Sequence, residues 1–139
     1  MVNFSQLKIN LEVMFNMIYT SYFSSKKYNT DDGVSIARYV DFWIGGSYPD
    51  LAPSPTLLAW WKGLPKDLQY DNYYQQLYFN YYKQETLDKL DPHKVAADLD
   101  GKVLLCYEKS SDFCHRHIVA AWLRHHGYEC EEIDFTKEK

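Results

Sequence analysis

Hydrophobic and polar positions change period several times along the chain, and each change marks an element. Phe4, Leu7, Leu11 and Phe15 recur every three or four residues, the spacing of a short amphipathic helix. From Met17 the pattern differs: Met17–Phe23 (MIYTSYF) is aromatic and β-branched and predicts a first strand. Ser24–Asp32 is polar loop, and Gly33–Val40 (GVSIARYV) predicts a second strand. Asp41–Pro53, with Gly45, Gly46, Pro49 and Pro53, reads as loop or short turns. Ser54 followed by Pro55 pairs an N-cap with a first-turn proline and opens a helix through Lys62, which Gly63 stops. Tyr70, Tyr73, Tyr74, Leu77, Tyr78 and Tyr81 keep helical spacing within a long helix over Leu68–Leu90, one aromatic stripe facing inward. Asp91-Pro92 starts another helix to about Leu99, and Asp100-Gly101 turns the chain.

The clearest unit comes last. Lys102–Cys106 (KVLLC) is a continuous apolar run, as a strand buried on both faces requires. Ser110–Asp112 caps a helix over Cys114–His126, Gly127 ends it, and the more polar Tyr128–Phe135 is a final strand nearer an edge. A strand–helix–strand unit of this kind carries parallel strands and a right-handed crossover. The expected fold class is therefore α/β: a small, mainly parallel sheet flanked by helices in a Rossmann-like three-layer arrangement. In such sheets ligands bind beyond the carboxyl ends of the strands, here Ser21–Phe23, Arg38 and Cys106–Glu108. The change of pattern at Met17 sets off residues 1–16 as an N-terminal extension and residues 17–139 as a single domain.

Composition narrows the function classes. The chain has 139 residues, which fits one domain, and 46% of them are hydrophobic, enough to bury a core. A net charge of −4 argues against a protein that grips duplex nucleic acid through its phosphates. Thirteen tyrosines, seven phenylalanines and four tryptophans imply a Tyr-rich core boundary or a stacking surface. Three cysteines, with no signal-peptide pattern, point to free thiols in a reducing compartment and to a cytoplasmic protein. No apolar run approaches the length of a membrane span.

The run LLCYEKSSDFCHRHIVAAWL (Leu104–Leu123), with its Cys-x-Glu, short loop and Cys-His-Arg opening a helix, closely resembles the signature of the domain of unknown function 488 family. Ile18–Phe23, Ser35–Arg38, Leu51–Ser54, Tyr78 through Tyr82 and Leu87–Asp91 resemble one branch of it. Ala37 departs from the Ser-Ile-Ser-Arg of that branch, and residues 1–16 fall outside the resemblance. The likeness implies an α/β fold and a pocket. It supplies no activity.

The chemistry gathers where the helix of Cys114 begins. Unpaired N–H groups and a partial positive charge disfavour cations there, yet His115, Arg116 and His117 fill the first turn. Either Glu108 or Asp112 offsets them, or a bound anion does. At a helix start the Cys114 thiol is expected to be acidified, which makes it a candidate nucleophile. Cys106 is a second, and Glu108 and His115 are candidate acid–base groups. The competing reading makes both cysteines core residues, since Cys114 shares a face with Ile118, Ala121 and Trp122. Cys106, Cys114, His115 and His117 are also metal-ligand types. Seven residues separate the two cysteines and there is no Cys-x-x-Cys, so an anion is preferred and no metal or cofactor is assigned.

Arg38, Lys62 beside Trp60-Trp61, Ser21, Tyr78 and Tyr82 complete the expected ligand-binding set with Arg116. The expected partner is a nucleotide-like or other anionic small molecule, with turnover left open. The alternatives are a non-catalytic module that sequesters its ligand, a protein-interaction module, or a Cys/His metal site.

Overall fold

A computed structural model describes residues 17–25 and 32–137. The helix expected within residues 1–16 lies outside the described residues. Five strands form one all-parallel sheet: β1 (Met17–Tyr22), β2 (Gly33–Ser35), β3 (Gly46–Ser47), β4 (Val103–Cys106) and β5 (Glu129–Glu132), in the order β3-β2-β4-β1-β5. Helices α1 (Pro55–Gly63), α2 (Lys66–Gln69), α3 (Asn72–Glu85), α4 (Pro92–Asp98) and α5 (His115–His125) flank it. The fold is α/β, of the three-layer kind expected.

The two faces of the sheet are covered unequally. Ile18, Leu104 and Cys130 point to the face that receives Leu57 and Trp61 of α1, Tyr78 and Tyr82 of α3, Val95 of α4 and Val119 and Leu123 of α5. Val103 and Leu105 alternate to the opposite face, where Phe23, Val40, Trp43 and Phe135 form a smaller cluster. By the same alternation Cys106 shares the face of Leu104, toward α5. Its neighbours across the sheet are fixed by register, with Tyr22 beside Cys106 and Ser35 beside Leu105.

Local chemistry explains where the elements depart from the pattern-based expectation. Strand β2 ends at Ser35 rather than Val40: the Ser35 hydroxyl accepts from the Ala37 N–H and turns the chain out of the sheet. Strand β3 was expected to be loop, because its two residues pair through backbone alone and show no side-chain period. The long helix expected over Leu68–Leu90 is interrupted. Asp71 accepts from the Tyr73 N–H and starts α3 anew, and α3 stops at Glu85. Of its aromatic stripe only Tyr78, joined by Tyr82, is buried, while Tyr70, Tyr73 and Tyr81 face solvent.

Helix α5 starts after Cys114, which occupies the N-cap with no side-chain capping bond; the capping expected of Ser110–Asp112 is not made, and Ser110 donates instead to Glu132. Its end is a Schellman motif, with Tyr128 N–H on the Leu123 carbonyl, Gly127 N–H on that of Arg124, and Gly127 at φ 92°. No helix among the described residues is long and apolar enough to cross a membrane.

The strand order places the site. From β2 the chain moves outward to β3, whereas from β4 it crosses β1 to reach β5. The connections leaving β2 and β4 therefore diverge in opposite directions. Divergence at neighbouring parallel strands opens a crevice beyond their carboxyl ends, the usual ligand position in open α/β sheets.

Candidate functional site

That crevice is lined by the segment after β2, the segment after β4 and the start of α5, which bring Arg38, Cys106, Glu108, Cys114 and His115 together. The His115 ring is buried, and its Nε2 lies 2.8 Å from the Ile36 carbonyl. A carbonyl only accepts, so Nε2 carries the proton, and in the neutral ring Nδ1 offers its lone pair. Two sulfurs face that lone pair, Cys106 Sγ and Cys114 Sγ, each 3.7 Å away. Cys106 Sγ also donates to Glu108 Oε2 at 3.3 Å. Three ligating atoms, from Cys106, Cys114 and His115, all lie within 4.8 Å of one another.

Electrostatics corrects one expectation here. Burial pushes the Cys114 thiol well above its ordinary range, and the neighbouring Cys106 adds to the rise. The helix start does not acidify a sulfur sealed beneath it. Burial also pulls the His115 imidazole down, but the Cys114 sulfur, the Ile36 carbonyl and Glu108 outweigh it and leave the ring above its ordinary value.

The walls are aromatic and the rim is cationic. Trp61, Tyr78 and Phe113 close into a triangle with ring centroids 5.0–5.2 Å apart. Tyr107 bridges the two diverging loops by donating its hydroxyl to the Tyr39 carbonyl at 2.6 Å. Arg38 is held by the Pro53 carbonyl on Nε at 2.8 Å and the Ala52 carbonyl on Nη2 at 3.4 Å. Both partners are neutral, so among the described residues its charge is positioned but not cancelled. Lys62, in the last turn of α1, stands exposed at the same rim. The cavity is about 40 Å³, room for about three waters or for one end of a small molecule.

The other side of the same helix turn is built differently. The Arg116 side chain is fully buried, and its guanidinium binds the Glu132 carboxylate through Nε–Oε1 at 3.0 Å and Nη2–Oε2 at 2.9 Å. Thr20 and Ser110 donate their hydroxyls to the same carboxylate at 2.7 and 2.6 Å. Burial alone would raise the Glu132 pKa, but the bonds from Arg116, Ser110 and Thr20 hold it below its ordinary value. His117 is kept below its ordinary pKa by burial and by Arg116, with Glu132 3.9 Å away.

The counterion of Arg116 is therefore Glu132 of β5, neither the bound anion expected nor the alternatives Glu108 and Asp112. Arg116 does not line the cleft. It pins the start of α5 to β1 and β5 and so sets the depth of Cys114 and His115.

The remaining candidates divide. Tyr78 lines the cleft, whereas Tyr82 lies beneath it, stacked on Tyr78 at 6.1 Å, edge-on to His115 at 5.6 Å, its hydroxyl donated to the Leu51 carbonyl. Burial raises the pKa of both phenols. Ser21 sits on the β5 side, donating to the Ile133 carbonyl at 2.6 Å, and does not reach the cleft. Glu132 was not singled out from sequence, though Cys130 and Glu132 fall two apart on a strand and so share its inward face, where a carboxylate calls for a cation. Ile36, whose carbonyl fixes the His115 tautomer, carried no side-chain signal.

Searches of curated proteins and of solved structures return no match. A family model does match, that of DUF488-N3a, described as the active DUF488-N3 subclade, over residues 18–127. The match runs from β1 to the end of α5, covering four of the five strands, and includes Cys106, Cys114, His115 and Arg38. The chain belongs to the DUF488-N3a family.

Proposed function

We propose that this chain acts on a small anionic molecule, held at the cleft between β2 and β4 with its reacting end on the Cys106–Cys114–His115 floor. One observation carries the reading. Arg38, oriented by two carbonyls and met by no carboxylate among the described residues, lines the same small cavity as two sulfurs and an imidazole lone pair. A planar cation fixed in this way suits a carboxylate or phosphate, and Lys62 adds charge at the entrance. Glu108, beside Cys106, is the proton acceptor for the reacting group.

Cavity size limits the substrate. A floor of about 40 Å³ takes the anionic or reacting end of a ligand, the rest lying toward the rim. A small carboxylate, a phosphomonoester or the phosphate end of a nucleotide suits such a floor. The description of the subclade as active supports turnover over simple sequestration.

Calorimetric titration with inorganic phosphate, acetate and a nucleoside monophosphate tests the binding step. Arg38→Ala is expected to weaken the best of these about ten- to a hundred-fold, the worth of a charge-assisted bond. Bound anion is also expected to slow alkylation of Cys106, read by mass spectrometry, while leaving Cys130 unchanged. Equal affinity in the wild type and in Arg38→Ala, with no protection of Cys106, would overturn the reading.

A further inference from the structure

We infer that Cys106, Cys114 and His115 form a three-ligand site for a divalent metal of the zinc class, with its remaining coordination position open to the cleft. The inference deepens the reading above and rests on this cleft being the working site. Three features on different elements support it.

Spacing is the first. For bonds of about 2.3 Å to sulfur and about 2.05 Å to nitrogen, a tetrahedral angle puts ligand sulfur and nitrogen about 3.6 Å apart. Both Sγ···Nδ1 separations are 3.7 Å. The folded chain already holds sulfur and nitrogen at ligand-to-ligand distance, with a strand end giving Cys106 and the start of α5 giving Cys114 and His115.

The second feature is the outer shell. A histidine ligand characteristically donates its far ring N–H to a carbonyl or carboxylate, which fixes the tautomer and aims the other nitrogen. The Nε2–H···O=C bond from His115 to Ile36 does this, and Nδ1 faces the sulfurs.

The third is the donor set. Two sulfurs and one imidazole favour zinc over magnesium or calcium, which take oxygen ligands. Three protein ligands with an open fourth position is the arrangement of reactive rather than structural zinc. Glu108 stands outside the compact trio but accepts from Cys106 Sγ at 3.3 Å, where it would take the thiol proton that metal binding releases. The long gap between the two cysteines does not disfavour the site, because the fold and not a local turn brings them together.

The test uses the full-length, untagged protein purified under reducing conditions. Elemental analysis after incubation with zinc and gel filtration is expected to give one equivalent in the wild type and in Cys130→Ser, and below about a tenth of that in Cys106→Ser and Cys114→Ser. Cobalt(II) loading of the wild type gives a readout that needs no variant. Near-ultraviolet thiolate-to-metal charge transfer and intense tetrahedral d–d bands are expected. A wild-type protein that retains no zinc, or a cobalt spectrum without thiolate charge transfer, would overturn the inference. Phosphate titration of metal-stripped protein separates the two claims. Arg38-dependent binding without metal retention sinks the metal alone, and metal retention with binding indifferent to Arg38 sinks the anion reading alone.

Discussion

The first turn of α5 presents two charge environments back to back. On one side Arg116 meets a carboxylate that also receives Thr20 and Ser110, so its charge is met inside the fold, with Nη1 alone left unbonded among the described residues. On the other side Cys114, His115 and Cys106 meet on the floor of a small cavity whose rim carries Arg38, bound among the described residues to two neutral carbonyls. Adjacent residues of one motif thus do opposite work. The matched side is a clamp that fixes the helix, and the unmatched side is where an external anion gains most. A cluster of cations at a helix start is a site only where the chain has not already supplied the counterion.

Breaking the clamp is expected to give the largest effect. Arg116→Met leaves the Glu132 carboxylate with hydroxyl donors alone in a half-buried place, and loss of one partner of a buried pair costs about 3–5 kcal/mol. Urea unfolding is expected to show a loss of that size, and a loss under about 1 kcal/mol would mean that the clamp is ornamental to the fold.

Arg38→Ala, on the other side, is expected to invert this profile: about 1.4–2.8 kcal/mol of anion affinity lost, with unfolding changed by no more than about 1 kcal/mol. Calorimetry and urea unfolding on the same sample read both numbers.

A smaller, pH-dependent effect sharpens the contrast. The Glu132 pKa is lower in the folded chain than its ordinary 4.5, so its contribution is complete above that value and is lost as pH falls through the depressed folded value. Glu132→Gln is expected to flatten the acid limb of the stability profile, and an unchanged limb would place the acid sensitivity elsewhere. The smallest effect is expected for Tyr82→Phe, which removes one buried hydroxyl from the Leu51 carbonyl, about 1 kcal/mol by thermal unfolding, with anion affinity unaltered.

What could be read from the sequence was whatever local chemistry decides. Strand β4, the caps at Ser54 and Asp91, the stop at Gly127 and the edge position of β5 all follow from residues within a few positions of one another. The convergence of Arg38 with Cys106–Glu108 followed from the strand-end rule once the sheet was known to be parallel.

The partner of Arg116 was not legible, because Glu132 reaches it only through the register of β5 on β1, where Thr20 lies beside Glu132. The break at Asp71 had a signal in the Asp-Asn pair, which the continuous tyrosine spacing masked. Strand β3 had none, since two residues paired by backbone alone leave no mark on side-chain pattern.

Locating a bound anion tests the contrast most directly. In crystals of the full chain grown with selenate, an anomalous scatterer of phosphate-like shape, the account predicts a peak within hydrogen-bond range of the Arg38 guanidinium, facing His115. A peak seated instead on Arg116 and His117, with none beside Arg38, would contradict it.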